Sequence, residues 1–383
     1  MISALKGHLT ESLLATIKQS GLDAELPEGA PTPVAWEYPS DPAFGDLSTT
    51  LAFGLAKALR RKPREIAMRI AAAGAFSHDL VDRVEVAGAG YLNFFIAKPF
   101  WRRLVREILL AGPAYGTADV GASHRVLVEF VSANPTGPLV VVNARAAAVG
   151  DAIARLLEAV GYRPYREYYV NDAGNQFRML ALAMEVRCRQ LLGEDCLLPE
   201  EAYPGEYLID LAREYLDQQG PDALAMPEPE RRDRLGRFAV GRILDWQRAS
   251  LEAYGVTFDG WFSERELRER GETAQVLDAL KARDFLYEYE GALWFRSTLF
   301  GDDKDRVLVK GDGEITYFLP DIAYHQDKFA RGFEQVIDLW GPDHHGYVPR
   351  MQAAMQALGH PPGALRILIV QLVRLMRGTE QVR

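Results

Sequence analysis

Cysteine is scarce in this chain. Two thiols, Cys188 and Cys196, in 383 residues are too few for a disulfide framework and lack the paired spacing of a zinc site. Long hydrophobic runs are missing as well. No apolar stretch reaches the roughly 20 residues of a membrane span, and the N-terminal Met1-Ile-Ser-Ala-Leu-Lys6 has no signal-peptide core. Positive charge is in deficit: 44 Lys and Arg stand against 53 Asp and Glu, a formal net charge of −9. That balance argues against a general nucleic-acid-coating protein but leaves room for a local basic patch. No fixed-period repeat or low-complexity tract occurs. No His/Glu partner stands at helical zinc spacing from His344 and His345, so no metal site is expected. A cytoplasmic globular protein is the expectation. With 48% hydrophobic and 25% charged residues, the chain can bury a large core and is expected to hold two or three domains.

The most telling stretch runs from Val126 to Leu139 and into a helical pattern. Val126-Leu-Val128 reads as a buried parallel strand, and Asn134-Pro-Thr-Gly-Pro138 forces a turn. Val149, Ile153, Leu156, Leu157 and Val160 then recur at helical spacing, and Gly161 supplies a left-handed stop. A strand, a polar turn and a helix N-terminus together make a place where backbone N–H groups face an anion. A second strand, Tyr165–Val170, leads into Asn171-Asp-Ala-Gly-Asn-Gln176 at the carboxyl end where such sheets place ligands. On residue type alone, Asn171 and Asp172 are ordinary turn residues.

Further on, Arg306–Lys310 and Ile315–Leu319 read as strands about Gly311-Asp-Gly313, with a helix starting at Pro320. Tyr317 and Asp321, four apart across that corner, put a phenol and a carboxylate in position to line one pocket. Val336–Trp340 is another buried strand, ending in Gly341-Pro-Asp-His-His-Gly346. Here glycine permits close backbone approach, and Asp343 and His344 offer an acceptor and a donor. Residues from about Phe177 to Leu299 read as mostly helical. At the N-terminus, residues 1 to about 26 read as one amphipathic helix, followed by the Pro-rich Leu26–Pro33 and a helix with Asp46 or Ser48 available as caps. Pro63 begins the next helix. Val84–Ile96 reads as two short strands about a glycine turn, and the cluster Arg60, Arg61, Lys62 and Arg64 reads as a solvated helix end.

These ordered motifs closely resemble the arginyl-tRNA synthetases, class I enzymes that join arginine to its tRNA using ATP, and the likeness covers nearly the whole chain. It implies an α/β fold: a Rossmann-like parallel sheet with a helical insertion, preceded by a small α/β domain. The implied domains are 1–115, a tRNA-contacting module, and 120–383, the catalytic domain with its insertion at about 177–299. Arg383 falls at or just before the first basic position of the family's Lys-Met-Ser-Lys loop, so that loop and the helical anticodon-binding domain after it are expected to be absent. By resemblance, Glu129, Asn134, Tyr317 and Asp321 bind arginine. Pro135, Gly137, Gly341, Asp343 and His344 meet ATP, which is expected with Mg2+ and with no tightly bound cofactor. Asn171 and Asp172 gain a site-lining role. Tyr91 and Asn93 contact a base of tRNA(Arg), although residue types alone make Tyr91 an ordinary strand residue and set Asn93 on the open face. A monomer and no membrane partner are expected.

The chain departs from the family where ATP should lie. The His-x-Gly-His signature is replaced by Val140, Val141, Val142 and Asn143. Valine offers no side-chain donor, and only Asn143 retains one, as the remaining catalytic candidate. Losing one such donor costs about 2.7–4 kcal/mol, a rate factor of about 10² to 10³. The expectation is therefore an arginine–tRNA ligase of impaired activity, with no covalent protein nucleophile. The alternative is a catalytically deficient relative that binds arginine, tRNA or a protein partner.

Overall fold

A computed structural model describes residues 2–27 and 34–382. Residues 28–33 of the Pro-rich stretch and Arg383 lie outside the described residues. The chain divides into two compact units, Met1–Gly116 and Thr117–Arg383.

The first unit packs helices against a small antiparallel sheet. Helix α1 (Ile2–Gln19) buries Leu5, Leu9, Leu13 and Ile17 at helical spacing. It ends earlier than its pattern suggests; Asp23–Glu25 forms a separate 3-10 turn. Strand β1 (Leu47–Thr49), helices α2 (Leu51–Leu59) and α3 (Pro63–Ala73), strands β2 (Val81–Ala87) and β3 (Tyr91–Ile96), and helix α4 (Lys98–Ala111) follow, with sheet order β1-β3-β2. The expected caps at Asp46 and Ser48 are not caps. Asp46 Oδ2 accepts from Ile96 N at 2.7 Å and Ser48 Oγ donates to Asn93 Oδ1 at 2.7 Å. Pairing with β3 outweighs the local capping preference, so α2 starts only at Leu51.

The second unit is built on a five-stranded parallel sheet. Strand β4 (Arg125–Glu129) feeds α5 (Val141–Ala159), β5 (Arg163–Val170) and the helices α6 (Gly174–Leu191), α7 (Tyr207–Gln219) and α8 (Glu228–Ala253). Leu180, Met184, Leu211, Leu235 and Ile243 give those three helices a core of their own. The stretch read as mostly helical also contains strand β6 (Gly260–Ser263), helices α9 (Glu264–Glu269) and α10 (Glu272–Ala282), and strands β7 (Leu286–Tyr289) and β8 (Ala292–Phe295). Strand β9 (Arg306–Val309), helix α11 (Phe318–Ala330), strand β10 (Gln335–Trp340), helix α12 (Val348–Ala357), strand β11 (Leu365–Ile369) and the hairpin β12 (Leu375–Arg377) and β13 (Glu380–Val382) complete the chain.

The parallel sheet has the order β11-β10-β4-β5-β6. Strand β4 is central and its residues Val126 to Glu129 are all buried, as a strand covered on both faces requires. The second expected strand after β9 shrinks to a bridge between Val309 and Ile315. Thr316 Oγ1 turns back to Val307 O at 2.9 Å, and Phe318 already begins α11. Gly161 ends α5 as its sequence suggests: φ is +91°, Gly161 N donates to Glu158 O and Tyr162 N to Leu157 O, both at 3.0 Å.

Candidate active site

The carboxyl ends of β4, β5 and β10 and the first turns of α11 surround a cleft of about 230 Å³. Glu129, Ser132, Tyr169, Asp321, His325, Trp340, Gly341, His344 and Tyr347 are among its walls. Residues 321, 325 and 328 of α11 are spaced i, i+4 and i+7, which sets them on one helix face. That face is buried and polar, and its partners account for almost every charge around the cleft.

Lys328, fully buried, donates from Nζ to Glu129 Oε2 at 2.6 Å and to Asp338 Oδ1 at 2.8 Å. Burial alone would lower the lysine, but Asp338 and Glu129 outweigh it and hold the ammonium above its ordinary range. Burial likewise pushes Asp338 up, and Lys328 and His325 more than reverse it, leaving its carboxyl lowered. His325 lies 2.7 Å from Asp338 Oδ2 through Nε2 and 2.7 Å from Asp321 O through Nδ1. Glu167 pairs with Arg331 at 2.9 Å and accepts from Tyr324 Oη at 2.9 Å. Glu264 pairs with Arg268 at 2.9 Å, and Asn171, with its amide nitrogen turned inward, donates to it at 2.9 Å.

Asp321 differs. Its Oδ2 accepts from Tyr347 Oη at 2.7 Å, and among the described residues it has no lysine or arginine partner. Burial, with smaller contributions from the neighbouring Glu264 and Glu129, pushes its carboxyl up to about 6, although Tyr347 and His325 pull the other way. Burial first, then Asp321, raises the Tyr347 phenol. The cleft thus presents one half-buried carboxylate that lacks a counter-cation.

The loop Val131–Leu139 is held from the side of β5 and α8. Tyr168 Oη, with one proton to give, lies 2.8 Å from Gln247 Oε1 and 3.0 Å from Ala133 O; Gln247 Nε2 donates to Asn134 O at 3.2 Å and Gly137 O at 2.8 Å. Tyr207 Oη donates to Thr136 O. Asn134 is exposed and Pro135 buried. Helix α5 then follows the N-cap residue Val140, whose side chain has no polar atom; Asn143 Oδ1 accepts from Val140 N at 2.9 Å. Val140 and Val141 are 61% and 44% exposed.

The structure therefore brings Glu129, Asp321, Gly341 and His344 to one cleft. Tyr317 is not among its walls; it is 73% exposed and lines an adjoining hollow of about 260 Å³ with Arg178, Arg268 and Lys310. The helix begins one residue after Tyr317, so a strand-like corner that would aim its ring beside Asp321 never forms. Asn134 does not line the cleft either. The Asp343 side chain is exposed and sits 3.3 Å from His344 Nε2. Asp172 ties strand ends together, accepting from Ser263 Oγ at 2.7 Å and Arg265 N at 3.0 Å. Lys328, His325, Tyr347, Tyr169 and Ser132 were not singled out from sequence, yet a His and a Lys at i+4 and i+7 from Asp321 on an otherwise apolar face were the signal. Among the described residues no three His, Cys, Asp or Glu side chains gather as a metal site, and no helix is long and apolar enough to cross a membrane.

In the first unit, Tyr91 and Asn93 line a hollow of about 480 Å³ with Tyr38, Phe44 and Ser48. Asn93 is 4% exposed and bonded to Ser48, so it does not stand on an open strand face. Tyr91 is 41% exposed and meets Phe53 edge-on at 5.1 Å. Of the nearby basic cluster, Arg61 pairs with Glu25 at 3.0 Å and Arg64 donates to Gly88 O at 2.5 Å.

A parallel sheet with its cleft at the carboxyl ends of the strands is the architecture of a doubly wound nucleotide-binding protein. The model of the class I (R) catalytic domain matches residues 104–200, and that of the arginyl tRNA synthetase N-terminal domain residues 7–96. The chain is 44% identical over 374 residues to the arginine–tRNA ligase of Shouchella clausii, covering 97% of this chain and 67% of that protein. It is 43% identical over 385 residues to that of Bacillus licheniformis, covering 100% and 68%. An arginyl-tRNA synthetase structure from Campylobacter jejuni superposes with a TM-score of 0.68 at 38% identity, over 74% of this chain and 62% of that one. One from Thermus thermophilus gives 0.66 at 23%, over 95% and 65%, and supports the fold alone. The chain belongs to the arginyl-tRNA synthetase family, and it spans about two thirds of the length of these curated relatives.

Proposed function

We propose that the cleft accepts the guanidinium of arginine on Asp321, in an arginine–tRNA ligase whose activation step is weakened. The single observation carrying this reading is the unmatched charge: Glu129, Asp338, Glu167 and Glu264 each have a basic partner, and Asp321 alone awaits one. A flat, permanently charged fork suits a carboxylate better than a point-charged ammonium does. Glu129, Asn134 and Tyr317 complete the expected arginine contacts, the last two by moving toward the bound ligand.

ATP would lie across Pro135, Gly137 and Asn143 on one side and Gly341, Asp343 and His344 on the other, with Mg2+ arriving on the phosphates and keeping most of its water. The arginine carboxylate oxygen attacks the α-phosphorus, the bond to the bridging oxygen breaks and pyrophosphate leaves. A ribose hydroxyl of tRNA(Arg) then attacks the arginyl carbonyl and AMP leaves. The protein's part is positioning and charge stabilisation. Tyr91, stacking, and Asn93, hydrogen bonding, would hold a tRNA base in the first unit. We place the chain in the cytoplasm as a monomer.

Val140 and Val142 favour a second reading, a relative that binds arginine without activating it. Arginine-dependent exchange of pyrophosphate into ATP separates the two. The first reading expects a slow but arginine-dependent rate, and exchange at the ordinary rate of the family would remove the weight given to the valines. Calorimetry tests the pocket itself: arginine should bind and its neutral isostere citrulline should not. Equal binding of both would sink the Asp321 assignment.

A further inference from the structure

Glu129 has both carboxylate oxygens committed inside the protein. Oε2 accepts from Lys328 Nζ at 2.6 Å and Oε1 from Ser132 Oγ at 2.8 Å, while Ser132 Oγ itself accepts from Tyr169 N at 3.1 Å. The segment held this way is strained. Val131 and Ser132 have φ of 68° and 39°, left-handed conformations that a β-branched residue adopts only when its surroundings enforce them. That turn opens the loop proposed to face ATP, and Tyr168, Gln247 and Tyr207 pin only the residues after it. On the other side, Lys328 is fully buried and shares a helix face with Asp321.

We propose that Lys328 is a positioning residue. Through Glu129 and Ser132 it holds the strained Val131–Ser132 turn, and so ties the helix that carries Asp321 to the nucleotide-side loop. Glu129 carries this tie from Lys328 to Ser132. The mechanical link stands on the geometry; its consequence for ATP rests on the function proposed above.

Amide hydrogen exchange on the ligand-free chain tests the link, using Ser132→Ala, Glu129→Gln and Lys328→Met. Exchange across residues 131–137 should quicken by about fivefold or more in each, with the amides of β10, and those of β5 other than Tyr169, unmoved in Ser132→Ala. Unchanged loop exchange in Ser132→Ala and Glu129→Gln overturns the proposal, whether or not Lys328→Met folds. The same samples are then titrated with ATP and with arginine. Ser132→Ala should lose more affinity for ATP than for arginine, and the reverse order would overturn the tie to the nucleotide-side loop. An unsubstituted chain that binds neither ligand would sink the ligase reading, while the exchange data still decide the link.

Discussion

At the floor of the cleft, Lys328, Glu129 and Asp338 meet at 2.6 and 2.8 Å with no more than a tenth of any side chain exposed. At the start of α5, by contrast, Val140 and Val141 stand 61% and 44% exposed, and the valine at the N-cap has no polar side-chain atom to offer. One region keeps a buried ion network whose loss would be costly; the other sets valine methyl groups at an exposed helix start. On the proposed reading, recognition of a cation and chemistry on a phosphate fall to separate elements around this sheet, the first backed by buried packing and the second resting on an exposed helix start.

The sharpest way to break that contrast is at the floor. Lys328→Met strands two buried carboxylates and should cost about 3–5 kcal/mol of stability, read as a fall in the denaturant midpoint. Little or no loss would mean the network is not the rigid element described. On the opposite side, Val140→His with Asn143→His should raise arginine-dependent pyrophosphate exchange by about 10² to 10³, with melting temperature hardly changed. A rate that does not rise would show that more than the signature has been lost.

A pH titration probes both regions at once. Asp321 is pushed up to about 6, and its ionised form is the one that meets a guanidinium. Arginine affinity should be flat above that point and fall by about tenfold per pH unit below it, in calorimetry at stepped pH. The sign for folding is opposite. A carboxyl raised in the folded state contributes stability that is present below the ordinary carboxylate range and is lost as pH rises through about 6, and bound arginine should reverse that loss. The smallest effect belongs to the other unit. Ser48→Ala removes the hydroxyl that meets Asn93 and should cost about 1 kcal/mol, without altering arginine affinity.

Much of this arrangement was legible in the order of residues. Buried strands such as Val126–Val128 and Val336–Trp340 are mostly apolar, with Asp338 the one charge in the second, and the Gly161 stop has one conformational meaning, so β4, β10 and the end of α5 fall where local physics sets them. The misses are tertiary. Asp46 and Ser48 look like helix caps, but pairing of β1 with β3 claims both side chains. Tyr317 looks like a partner of Asp321, but α11 begins too early and leaves the ring exposed, and Tyr347, 26 residues further on, takes the place beside the carboxylate. Lys328 was readable only as a charge on a helix face, because its partners Glu129 and Asp338 come from two strands, 199 and 10 residues away, that only the folded sheet brings side by side.

The central claim, that Asp321 is the one carboxylate of the cleft reserved for an external cation, is tested most directly by titrating arginine into Asp321→Asn by calorimetry. The substitution keeps the side-chain shape and an acceptor for Tyr347 but removes the charge. The account predicts a melting temperature at or above that of the unsubstituted chain, since an uncompensated half-buried charge is gone, together with no measurable arginine binding. Arginine binding of undiminished affinity in a fully folded Asp321→Asn would contradict it.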